Sequence, residues 1–147
     1  MPANRTEIRP IPTEETYPLR LKILRPGRPL AAAQFAEDER ATHFGYFVDD
    51  NLIGIATIFS QPLQGETQSA FQLRGMAVEE GYQGRGYGEQ LVRACCDFAH
   101  SQGAQIIWCN ARVEASRFYL KQGFVLRGEP FIIPDVGPHY VMWRRLI

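Results

Sequence analysis

The chain is short of cysteine and has no charge of either sign in excess, and each shortage excludes something. Three cysteines stand in 147 residues, Cys95, Cys96 and Cys109. Their number is odd and two of them are adjacent, which makes a poor disulfide framework, and their spacing matches no zinc-ligand pattern. A reducing cytoplasm is the expected setting and no metal is expected. Sixteen Lys and Arg balance sixteen Asp and Glu. The basic excess of a nucleic-acid binder is therefore missing, although one local basic patch is not excluded. No apolar run approaches the length that crosses a bilayer, so no membrane partner is expected. The opening MPANRTEIRP has none of the apolar stretch of a signal peptide. Internal repeats and low-complexity segments are absent too.

What is present suits one ordinary domain, residues 1–147, with 45% hydrophobic residues to build a core. Glu7 to Ile11 reads as a first strand. Pro12 to Leu24 reads as a helix with Thr13 as a candidate cap and acids in its first turn. Arg25 to Pro29, RPGRP, breaks either period and is a loop. Strand-like runs on both sides of Asp49-Asp50-Asn51 predict a hairpin over 43–60, a polar loop follows, and Ala70 to Val78 alternates as a further strand. Leu91, Val92, Cys95, Phe98 and Ala99 then fall at helical spacing as one buried stripe, with Gly103 as terminator. Ala104 to Cys109 reads as a buried strand, Val113 to Gln122 as a helix ended by Gly123, FVLRG as a strand, FIIPDVGP as a loop and HYVMWRRL as the last strand. The order β-α-β-β-β-α-β-α-β-β places the chain in the mixed α/β class with a central sheet.

Between the strand ending at Val78 and the helical stripe stands QGRGYGE, Gln83 to Glu89, with glycine at every second position. Glycines this dense weaken any regular element, so they need a reason. A strand, a turn and a helix start make an anion site: the first N–H groups of a helix lack internal partners, and the helix dipole favours negative charge there. Missing Cβ atoms let a phosphate reach the backbone, and Arg85 can add a cationic contact. The plainer alternative is a turn that only reverses the chain. A Walker loop would end in Gly-Lys-Ser/Thr, and a dinucleotide fold would show G-x-G-x-x-G with an acid after the next strand; neither is here.

Gln83-x-x-Gly86-x-Gly88, between a strand and a helix, resembles the acyl-CoA-binding motif of the GNAT superfamily, the Gcn5-related N-acetyltransferases. LRGMAV, Leu73 to Val78, resembles that family's strand beside pantetheine. NARVEASRFYLKQGF, Asn110 to Phe124, resembles its later tyrosine-bearing helix, and GPHYVMWRRL resembles a bacterial branch with a Pro-His-aromatic final strand. The resemblance runs from about Phe44 to the C-terminus, and less closely over the N-terminal third. Many members carry asparagine three residues before the position of Ala115; here that position is Arg112, and the asparagine stands at Asn110.

The resemblance implies a GNAT-like fold, a mostly antiparallel mixed sheet flanked by helices. It implies acetyl-CoA as cosubstrate, its pyrophosphate on the loop Gln83, Gly84, Arg85, Gly86, Tyr87 and Gly88. It implies pantetheine paired with the backbone of Met76, Ala77 and Val78 as an added strand, with Asn110 on the other side. A strand N–H would serve as an oxyanion hole. Tyr119 is implied as the acid that protonates the leaving thiolate; the alternative is a packed core tyrosine. Its helical spacing groups it with Ala115 and Gln122 and not with Phe118. For the base, His139 has the intrinsic pKa that suits proton abstraction near neutrality, against a structural or positioning role; His43 is a weaker candidate, and Glu79 and Glu80 read as solvated loop charges. Arg74 could meet an acidic group on the acceptor or form an ordinary ion pair. Cys109 reads as a small buried apolar residue in preference to an acyl carrier. The expected activity is transfer of acetyl to a primary amine, small molecule or peptide, by direct attack in a ternary complex. A non-catalytic acyl-CoA sensor and a nucleotide-binding regulator stay open as rivals, and so does a homodimer.

Overall fold

The computed structural model describes residues 4–146. A seven-stranded sheet has the order β1-β2-β3-β4-β5-β7-β6. Its strands are β1 Thr6–Pro10, β2 Thr42–Val48, β3 Asn51–Ser60, β4 Ala70–Val78, β5 Ile106–Arg112, β6 Val125–Ile133 and β7 Gly137–Arg145. Every neighbouring pair is antiparallel except β4 and β5, which run parallel. That pair requires a crossover, and helix α2, Tyr87–Ser101, supplies it. The expected mixed, mostly antiparallel sheet flanked by helices is the one found.

α2 lays Leu91, Val92, Cys95, Cys96 and Ala99 on the sheet. Phe98, which helical spacing also assigned to that stripe, is only half-buried and meets Phe44 and Phe71 edge-on instead. Gly103 (φ 87°) ends α2 as expected: the N–H of Ala104 reaches the Ala99 carbonyl and that of Gly103 reaches His100. The short helix α3, Ser116–Lys121, ends the same way at Gly123 (φ 88°).

The other face of the sheet carries the N-terminal helical segment, with Leu19, Ile23 and Leu24 packed on Phe47, Ile55 and Ala77. This is not the single α-helix that the spacing predicts. Thr13–Thr16 is a 3-10 turn, Tyr17–Leu19 (α1) a single α-helical turn and Arg20–Leu24 a π turn. Pro18 has no N–H to give to a continuous ladder. Thr13 does not cap the segment; its hydroxyl bonds His43 Nε2 at 3.1 Å.

Three further differences bear on the site. β5 runs on past Cys109 to Arg112, so Asn110 and Arg112 lie on a strand. The segment Phe131–Ile133, expected as loop, is strand, and β7 starts two residues before His139. β6 tolerates Pro130 because it is an edge strand and because Gly128, Glu129 and Pro130 bulge out opposite Tyr140.

Candidate active site

β4 and β5 pair over only three positions, Ala70–Ile106, Phe71–Ile107 and Gln72–Trp108. Beyond Gln72 they part, which leaves Leu73–Val78 and Cys109–Arg112 as two facing strand edges with unpaired backbone groups. Within β4, Thr57 pairs with Arg74 and Ile55 with Ala77, so Ala56 faces both Gly75 and Met76. This is a β-bulge, with Gly75 in the left-handed region (φ 65°). A Cβ there would meet the Phe35 ring at 2.9 Å, so glycine is required on two grounds.

The glycine loop closes one end of this opening. Gly84 and Gly86 both have positive φ, 77° and 86°, and a Cβ at either would touch nothing within 4 Å. The space over them is therefore free for a ligand. Gly86 is the N-cap of α2 and offers no side-chain cap, so the first-turn N–H groups stay open. Gly88 is needed for a different reason: a Cβ there would press on Met76 Cε at 3.2 Å and on the Phe118 ring at 3.5 Å.

A groove of about 530 Å³ runs from the loop along β4. Met76, Ala77, Val78, Gln83, Gly84, Gly86, Tyr87 and Gly88 all line it. Arg85 does not; its guanidinium stands over the Tyr82 ring, 5.7 Å from the centroid. Phe118 lines the groove alongside Ala115, Tyr119 and Gln122, against the expectation, because positions 115, 118, 119 and 122 stand at i, i+3, i+4 and i+7 and so share one helical face. Lys121, which sequence reasoning missed, also lines the groove. It is a cation in the last turn of α3, and only the pairing of that helix with the glycine loop shows where it points.

A second cavity of about 410 Å³ lies on the other side of the opening and holds Arg74, Asn110 and His139. Asn110, expected on the cofactor side, thus stands in this second cavity and not in the groove. Arg74 stacks 3.9 Å above Phe35 and pairs with Glu37 at 2.6 Å, so it is an ion-paired side chain that also lines the cavity. His139 is only 4% exposed. Its Nδ1 donates to the Gly137 carbonyl at 2.8 Å, which fixes the tautomer and leaves the Nε2 lone pair unused by that bond.

Groove and cavity share three residues: Met76, Ala115 and Tyr119. Tyr119 packs edge-on against Phe118 and Phe124. Burial, and then the thiols of Cys109 and Cys95, push its phenol well above its ordinary value, so the hydroxyl keeps its proton. Tyr119 is partly exposed, on the wall that groove and cavity share.

The remaining candidates lie elsewhere. His43 is buried and bonded to Thr57, Thr13 and the Asp38 carbonyl, away from both cavities. Glu79 is paired with Lys22 at 2.5 Å. Burial raises the Cys109 thiol far above its usual range, which leaves it inert.

Comparison with known proteins agrees with this geometry. A sequence model described as the acetyltransferase (GNAT) family matches residues 6–124. The Bacillus subtilis (strain 168) protein described as uncharacterized N-acetyltransferase YitI is 41% identical over 144 residues, covering 95% of this chain and 96% of its own. A candidate N-acetyltransferase from Lactobacillus plantarum superposes with a TM-score of 0.82 at 19% identity, over 98% of this chain and 100% of its own. A GNAT family acetyltransferase from Elizabethkingia anophelis, solved with acetyl-CoA bound, superposes with a TM-score of 0.70 at 18% identity, over 96% of this chain and 98% of its own.

Proposed function

The chain belongs to the GNAT acetyltransferase family and is an acyltransferase, and from that premise we propose that it transfers acetyl from acetyl-CoA to a primary amine within one ternary complex. The observation that carries this reading is the meeting of groove and cavity at Met76, Ala115 and Tyr119. A thioester arriving along the groove and an amine arriving through the cavity would meet there without a covalent enzyme intermediate.

In this reading the pyrophosphate rests on the open N–H groups at Gly86, Tyr87 and Gly88, with Lys121 as a nearby cation. Pantetheine lies between the parted strands and bonds the free edge at Met76–Val78. The bulge at Gly75 and Met76 frees a backbone N–H to polarise the thioester carbonyl. The amine nitrogen attacks the carbonyl carbon and the C–S bond breaks. Tyr119 gives its proton to the thiolate sulfur, and the proton lost by the amine passes to His139 Nε2, directly or through water. The same chain acts as one domain in the cytoplasm.

The test is thiol release from acetyl-CoA across a panel of amines, with initial rates measured while both substrates vary. Intersecting double-reciprocal lines are expected; parallel lines would indicate an acyl-enzyme and sink direct attack. Binding of acetyl-CoA without thiol release on any amine would make the chain a sensor. Displacement of bound CoA by ATP would favour a nucleotide regulator.

A further inference from the structure

The second cavity has a charge that the proposed reaction does not use. Three arginines line it, Arg25, Arg74 and Arg112, with one carboxylate, Glu37. Glu37 is taken by Arg74. Arg25 Nη1 and Arg112 Nη2 converge on a single neutral group, the Leu24 carbonyl, at 3.1 and 2.6 Å. Neither has a carboxylate within ion-pair distance among the described residues. Both are only half-exposed. Each guanidinium carries five N–H donors, so most of them stay free after the bond to Leu24. Burial, and then Arg112, Arg74 and Arg28, lower the pKa of Arg25, as expected for a cation crowded by cations. Among the described residues, nearby Arg28 pairs with the exposed Asp135, at 3.7 Å.

We propose that this cavity selects an acceptor that carries, beside its reacting amine, an oxyanionic group, carboxylate or phosphate, held by Arg25 and Arg112. Two planar forks converging in a half-buried cavity fit an oxyanion, and they repel a polyamine. The spacing is short as well. Arg112 faces His139 directly across the β5–β7 ladder. Side chains of opposed residues lie on the same face about 5 Å apart at Cβ. Both residues line the same cavity, so an oxyanion on Arg112 and an amine at His139 can belong to one small molecule. An amino acid or an aminoalkyl phosphate is such a molecule. This inference rests on the reading of the chain as an amine acyltransferase.

The experiment measures acetyl-CoA thiol release on three matched pairs: phenylalanine and phenethylamine, lysine and cadaverine, O-phosphoethanolamine and ethanolamine. In at least one pair the anionic member should exceed its partner in kcat/KM by about tenfold or more, as expected for charge-assisted bonds. The carboxylate and phosphate pairs tell the two oxyanions apart. Arg25→Gln and Arg112→Gln should each erase that preference through KM, Arg112→Lys should restore it in part, and Glu37→Gln, which frees Arg74, should strengthen it. Turnover of the neutral members at equal or better kcat/KM in every pair would overturn the inference and leave the acyltransferase reading standing. If no amine turns over, calorimetric binding of N-acetylphenylalanine and N-acetyl-O-phosphoethanolamine to the CoA-loaded protein decides. Binding lost in Arg25→Gln would uphold the oxyanion site and sink the proposed acetyl transfer to these amines, and no binding would overturn the inference too.

Discussion

The side-chain amide of Gln83 donates to the carbonyl oxygen of Val78 at 2.8 Å. The glycine loop is thereby tied to the last residue of the strand before it, and strand edge and loop keep a fixed spacing. A ligand that spans both needs that spacing.

The loop itself is tested by Gly86→Val. Gly86 has φ 86°, which a β-branched residue adopts only with strain of about 1–2 kcal/mol. A Cβ there would meet no protein atom within 4 Å, so the fold should survive. The new side chain would fill the space above the open N–H groups. CoA affinity, measured by calorimetry, should fall at least about tenfold, the loss of one or two charge-assisted bonds. Unchanged affinity in a folded variant would remove the anion site.

Tyr119→Phe deletes one hydroxyl and leaves the contacts with Phe118 and Phe124 in place. Turnover should drop by roughly 10- to 1000-fold, the range for a lost proton donor, while CoA affinity stays. Wild-type turnover would make Tyr119 a packing residue.

His139→Gln separates two roles. If His139 is the base, the variant loses rate and also the limb of the pH–rate profile that reports protonation of the base. If the ring only positions the acceptor, KM rises and the limb remains. A variant with wild-type KM, rate and profile would exclude both.

Away from the chemistry, stability should depend on a buried network. Arg20 is fully buried and holds Asp38 through two bonds of 2.8 and 2.9 Å, while a third donor reaches Thr57, which also bonds His43. Asp38→Ala would strand the Arg20 charge, at a cost of about 3–5 kcal/mol in denaturant melts. Burial alone would raise the Asp38 carboxyl, but the bonds from Arg20 and from the Phe35 N–H outweigh it and hold the pKa below its usual value. That stabilisation is present above the ordinary carboxylate range and is lost as pH falls through the lower folded value. Burial depresses the His43 imidazole in turn. As pH drops below about 6.5, the unfolded chain takes up a proton that folded His43 refuses, so stability should already decline there. A flat melting temperature from pH 7 to pH 5 would contradict this.

The elements that announced themselves in the sequence were those with local rules. Gly103 and Gly123 ended their helices because a left-handed residue there is a local demand. Gly84 and Gly86 marked an open backbone for the same reason. Tertiary partners decided the rest. Thr13 looks like a cap until His43 takes its hydroxyl. Pro130 looks like the end of a strand until an edge and a bulge accommodate it. The side of the opening on which Asn110 stands depends on how far β5 extends, and no spacing in NARVEAS encodes that. The convergence of Arg25 and Arg112 joins residues far apart in the chain, so no motif carries it.

The early parting of β4 and β5 has a mechanical consequence. Strands β1 to β4 form one ladder block and β5, β7 and β6 another, and the seam between them is three residue pairs long. Few hydrogen bonds across a seam mean low resistance to local opening. An acyl-CoA that beds between the edges would act as a wedge bonded to both blocks, completing the seam it interrupts. Amide hydrogen exchange should then slow at 73–78 and 109–112 when CoA is added, and much less at the hairpin of β2 and β3, far from the seam. The substrate would serve, for as long as it is bound, as a structural strand of the protein that consumes it.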